Sequence, residues 1–187
     1  MSSMSCGNRN HHHHHNHHHN GLVLSHSDAS IIWWAAWGSL VASMHAVHLQ
    51  QSDLAIVPAC VLITSLNYWR NPIRNSWRRS IDIGTVVIGC TYNSACAFSI
   101  KDSPYGKIYF NCTAASFIFY ALGHLFMALN MPRTAAYAHA SIHVVANAGN
   151  IALQHGTAAS IASIASIASI ASVPVPNGFA NRKTRHV

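Results

Sequence analysis

Between residues 31 and 153 the chain alternates apolar stretches with short polar connectors. The stretches, at 31–49, 54–69, 81–100, 108–129 and 134–153, each run for roughly twenty residues. A bilayer core ~30 Å thick needs about that much helix to cross it, and unpaired backbone groups exclude everything but helices and closed barrels from it. The pattern predicts an all-α, polytopic transmembrane helical bundle of five spans. Ten charged residues lie between Ile31 and Leu153, and all but Asp82 fall in the connectors.

The connectors carry ordinary turn chemistry: Gln50 to Asp53, then 101–107 with Pro104 and Gly106, then Asn130 to Arg133. Trp33, Trp34 and Trp37 open the first span, where indoles favour the membrane interface. Pro58 lies inside the second, which membrane helices tolerate.

Two low-complexity flanks bracket this core. Residues 1–30 are rich in Ser, Asn and His, including His11 to His15 and His17 to His19. Such a tract buries no core and is expected to be disordered, with metal capture by its imidazoles as the functional alternative. Residues 154–187 hold an Ile-Ala-Ser repeat that ends at residue 172, then Pro174, Pro176 and a basic tail. The repeat reads as a helical extension, a product of coding-repeat slippage or a sixth span.

Charge bears on that choice. With five spans, Arg9, Arg70, Arg74, Arg78, Arg79 and Arg133 share the amino-terminal side, against Lys101, Lys107, Arg182, Lys183 and Arg185. That is six against five; a sixth span would make it nine against two, the asymmetry the positive-inside rule prefers. Both arrangements put the 70–79 connector on the cytoplasmic side.

Only 8% of residues are charged and none is Glu, which points to lipid as the solvent for much of the surface. The net charge of +7 follows from topology: four of eleven cations crowd into one connector, which excludes nucleic acid as the favoured partner and leaves membrane lipids. Cys60, Cys90, Cys96 and Cys112 fall in apolar stretches without a C-x-x-C pair and read as small hydrophobes. No cleavable leader is expected, so the first stretch should remain as a span. Asn111-Cys112-Thr113 matches a glycosylation acceptor, but at a span edge where modification is disfavoured.

Helical spacing sorts the intramembrane polar residues into stripes. His139, His143 and Asn147 recur at four-residue steps on span five, as do Ser116, Tyr120 and His124 on span four. Asp82, Thr85, Gly89, Asn93 and Cys96 line span three, and Thr64, Ser65, Asn67 and Tyr68 end span two. Packing explains the small and neutral residues, at about 0.6–2 kcal/mol per contact. Ionisable groups in a span are costly and persist where they are paired or used.

Depth narrows the candidates. Alternating the spans puts Ser65, Asp82, His124 and His139 within about two turns of the Arg-rich face, with His143 one turn deeper. His45 and His48 lie ~20 Å or more away and read as packing or interfacial histidines. His124, His139 and His143 are therefore candidate zinc ligands, since three imidazoles with an open position lower the pKa of a bound water to ~7. Asp82 would orient or deprotonate that water, and Ser65 would support the oxyanion or the ligands' partners.

The run Thr64-Ser65-Leu66-Asn67-Tyr68-Trp69, then Arg78-Arg79-Ser80-Ile81-Asp82, then His139-Ala140-Ser141-Ile142-His143 resembles the motif order of one membrane-protein superfamily. It comprises alkaline ceramidases, progestin and adipoQ receptors and haemolysin-III-like proteins, seven-span proteins of which many are thought to be zinc-dependent lipid amide hydrolases. The resemblance implies Ser65 as the structural serine, Asp82 as the water-directing aspartate, and His139 and His143 as two of three zinc ligands. The family pattern is Ser-x-x-x-His, yet Trp69 stands where that histidine belongs and cannot bind zinc; His124 is the substitute at similar depth. The motifs cover about thirty residues, and this chain has fewer spans than seven.

Three function classes follow. One is a hydrolase of lipid amides or esters with a His/Asp zinc site at the cytoplasmic face. Another is a proton or small-solute pathway through His124, His139 and His143. The third is a non-catalytic membrane subunit, homo- or hetero-oligomeric, whose stripes only pack helices.

Overall fold

The structure is a computed structural model and describes residues 21–171. The His tract and the tail after the repeat lie outside these residues. Six helices follow one another: α1 His26–Ala36, α2 Gly38–His48, α3 Ser52–Trp69, α4 Trp77–Phe98, α5 Pro104–Ala128 and α6 Pro132–Ala171. With α1 and α2 taken together as His26–His48, five helical segments are long and apolar enough to cross a membrane. The protein is thus an all-α helical bundle of the kind a multi-pass membrane protein forms.

Helices begin earlier than the apolar stretches because their caps sit in the polar connectors. Ser25 accepts from the Asp28 backbone N–H at 3.2 Å and donates to its carboxylate at 2.7 Å, so α1 starts at His26, inside the segment expected to be disordered up to residue 30. Ser76 and Ser103 cap α4 and α5 through the N–H groups of Arg79 and Gly106. At the other ends, α2 and α5 close in the same way. Gln50 and Asn130 adopt left-handed backbone at φ 58° and 59°, and the next N–H reaches back to Ala46 and Phe126.

The segment before α1 is strapped to the Arg-rich connector. Val23 N–H donates to Pro72 O and Arg74 N–H to Gly21 O, both at 2.9 Å, around the Leu22–Ile73 bridge. The first span breaks at Trp37, where three-residue hydrogen bonds (Trp37 to Trp34, Leu40 to Trp37) tighten the helix. Gly38 then leaves room for Asn147 of α6, whose Nδ2 would lie 3.1 Å from any added Cβ.

Small residues take much of the interior, beside Ile32, Leu153 and Trp69, and many large apolar side chains face outward. Ala36, Ala42, Ala46, Ala97 and Ala136 are fully buried, while Ile63, Ile88 and Phe117 are among the most exposed side chains. In water that surface would be an enormous apolar patch; in lipid it is a solvated one, and close backbone approach holds the helices together. Gly149 shows the approach: a Cβ there would meet the Cβ of Cys112 on α5 at 3.0 Å.

Below the Arg-rich end, hydrogen bonds between polar side chains tie α6 to its neighbours. Asn147 Nδ2 donates to Ser39 Oγ at 3.2 Å, Asn93 Nδ2 to Asn150 Oδ1 at 3.0 Å, and Gln154 Nε2 to the Ala42 carbonyl at 3.1 Å. The Ile-Ala-Ser repeat continues α6 without a turn, so it extends the fifth span and forms no sixth. The 40 residues of α6 make a rod of ~60 Å, about twice the hydrocarbon thickness.

Candidate functional site

The Arg-rich end of the bundle gathers the last turns of α3 and α5 with the first turns of α4 and α6. Asp82, one turn after Arg79 on α4, is only 8% exposed. Its Oδ1 accepts from Ser65 Oγ at 2.7 Å and from Thr64 Oγ1 at 3.0 Å, so α3 presents two adjacent hydroxyls to one carboxylate oxygen. Among the described residues Oδ2 has no hydrogen-bond or ion-pair partner. A buried carboxylate normally finds one, so the second oxygen is free to meet water or a ligand.

Asp82 borders a cavity of about 110 Å³, shared with Tyr68 and Trp69 of α3, Tyr120 and His124 of α5, and His139 of α6. Arg79 also lines it, its Nη1 donating to the Arg74 carbonyl at 3.2 Å. Asp82, His124 and His139 thus meet at one space from three different helices. Tyr120 packs edge-on to His124 at 4.6 Å between centroids, as expected of residues one turn apart on α5.

His143 is placed differently. It is buried on α6 one turn below His139, at 5.9 Å between ring centroids, and does not line the cavity. His124 and His139 share the cavity and His143 lies behind His139; among the described residues no group of three His, Cys, Asp or Glu is placed to hold a metal ion. As placed, the residues do not fit a three-histidine zinc centre. Trp69 lines the cavity and meets His139 edge to face at 4.8 Å, with its indole N–H buried and, among the described residues, without a hydrogen-bond partner.

Sequence reasoning overlooked Thr64 as the second donor to Asp82, and Arg79 and Tyr120 as walls. Thr64 precedes Ser65 directly, and two hydroxyls at a span end one helix away from an intramembrane Asp were the available signal. His45 lies at the opposite end, with its Nδ1 bonded to Gln154 Oε1 at 2.7 Å, far from the cavity.

Comparison with protein-family models, with curated proteins and with solved structures gives no match to this chain.

Proposed function

We propose that the chain hydrolyses an amide or ester of a membrane lipid at the cavity bounded by Asp82, His124 and His139. What supports this is the meeting of three ionisable side chains, from three spans, around one small space. Packing alone explains neutral stripes, but ionisable groups at membrane depth are expensive unless used. A volume of about 110 Å³ is too small for a whole ligand and suits one polar head, with the acyl chains left in the bilayer.

The roles follow from the chemistry of each group. Asp82, held through Oδ1, uses Oδ2 to take a proton from water as its oxygen bonds to the lipid carbonyl carbon. The protonated Asp82 then passes that proton to the departing amine or alcohol as its bond to the carbonyl carbon breaks, with His124 and His139 lining the space beside it. Ser65 and Thr64 are positioning residues that fix the carboxylate.

The test is fatty-acid release from N-acyl and O-acyl lipids in mixed micelles by the purified protein. Asp82→Asn should lower release by about 10²-fold or more. No release by wild type, or full release by Asp82→Asn, overturns the proposal.

A proton or small-solute pathway is the second reading, favoured by a polar file on α6. It runs from His139 through His143, Asn147, Asn150 and Gln154 to His155. Flux into liposomes that varies with pH and falls in His139→Ala would support it.

A further inference from the structure

At the face opposite the Arg-rich connector, α2 and α6 bring two histidines together that have no part in the cavity. His45 and His155 stand with ring centroids 4.7 Å apart and planes tilted by 57°. His155 is exposed and stacks on Tyr105 at 6.1 Å, while His45 is half-buried.

The hydrogen bonds around His45 determine which nitrogen is free. Gln154 is 1% exposed, and its amide nitrogen donates to the Ala42 carbonyl, so its oxygen is the atom facing His45. An amide oxygen can only accept, so the 2.7 Å contact requires His45 Nδ1 to carry the proton. In a neutral imidazole the lone pair then lies on Nε2, which has no hydrogen-bond partner among the described residues. Gln51 Nε2 donates to the Gln154 carbonyl at 2.9 Å and anchors the backbone that carries this arrangement. A carbonyl oxygen holding Nδ1–H while Nε2 points elsewhere is how proteins orient histidine for a metal.

The spacing of the rings agrees. An imidazole bound at ~2.0–2.1 Å has its centroid ~3.2 Å from the metal, so two such rings at right to tetrahedral angles stand ~4.5–5.2 Å apart. The observed 4.7 Å lies in that interval. No third His, Cys, Asp or Glu joins the pair among the described residues, so water would complete the shell. Imidazole pairs with water favour the borderline divalent ions, Cu²⁺, Ni²⁺ and Zn²⁺, over Mg²⁺ or Ca²⁺.

We propose that His45 and His155 form a two-histidine site for a borderline divalent cation, clamping α2 to α6 at the face away from the Asp82 cavity. Gln154 is its positioning residue. The site is independent of the hydrolase proposal and stands or falls without it.

The test must discount the histidine tract in residues 11–19, which also attracts metal. A cation that binds folded and unfolded chain alike does not move the unfolding midpoint, whereas one that needs α2 beside α6 raises it. Full-length protein in detergent is therefore unfolded thermally with ZnCl₂ and with EDTA. Wild type should gain roughly 5 °C when free Zn²⁺ is ~100-fold above the dissociation constant. His155→Ala, at an exposed position that should not disturb folding, should abolish the gain, as should His45→Ala if that variant folds. No gain in wild type, or a gain that survives in His155→Ala, overturns the proposal.

Discussion

Trp69 and His139 meet edge to face, with ring centroids 4.8 Å apart, where the last turn of α3 crosses the first turns of α6. The contact closes the cavity wall and leaves the indole N–H buried without a partner. A buried donor left unpaired costs about 1–3 kcal/mol, while the ring itself contributes packing. Trp69→Phe keeps a ring and removes the donor, so stability should change by less than ~1 kcal/mol. Trp69→Ala empties the wall and should cost about 3–5 kcal/mol. Unfolding in graded detergent mixtures reads both, and equal losses would mean that the indole nitrogen has a partner after all.

The two hydroxyls on Asp82 share one oxygen, so they should act together. Ser65→Ala or Thr64→Val alone leaves the other bond and should cost about 0.6–2 kcal/mol. The double variant should cost more than the sum, because it strands a buried carboxylate. A double-mutant cycle on thermal unfolding measures the difference, and strict additivity would show that the two bonds are independent.

Gly149 sits at a close approach of α5 and α6. A side chain there would drive into Cys112 and Tyr109, so Gly149→Leu should destabilise the bundle by about 1–3 kcal/mol or separate the two helices. Gly84, which has no heavy atom within 4 Å of a built Cβ, is the control: Gly84→Leu should be neutral or stabilising. Comparing their unfolding midpoints tests the packing.

Metal content separates the expected zinc centre from the arrangement found. Wild type and a His139→Ala, His143→Ala double variant share the histidine tract and the His45–His155 pair, so those contributions cancel. Equal zinc in the two proteins is the expected result. A loss of one equivalent in the variant would mean that His139 and His143 hold zinc.

The spans were legible because hydrocarbon thickness writes itself into composition. Their ends were not, since Ser76 and Ser103 cap helices from within polar connectors, five residues ahead of where the apolar runs start at 81 and 108. Depth along the spans put Asp82, His124 and His139 at one end of the bundle, where the three line one cavity. It also put His143 one turn deeper, but it could not say which way each ring turns, and so it grouped His143 with residues around a space that His143 does not line. The Gln154 contact with His45 joins residues 109 apart in sequence, and no periodicity within one span encodes such a partner.

Continuity of α6 has a mechanical consequence. His139 lies near one end of the bundle and His155 near the other, on a rod that no turn interrupts. Sliding the rod by one residue would carry both ends ~1.5 Å in the same direction, drawing His139 from Asp82 while pulling His155 off His45. Whatever grips the overhanging repeat therefore holds a lever on both faces at once.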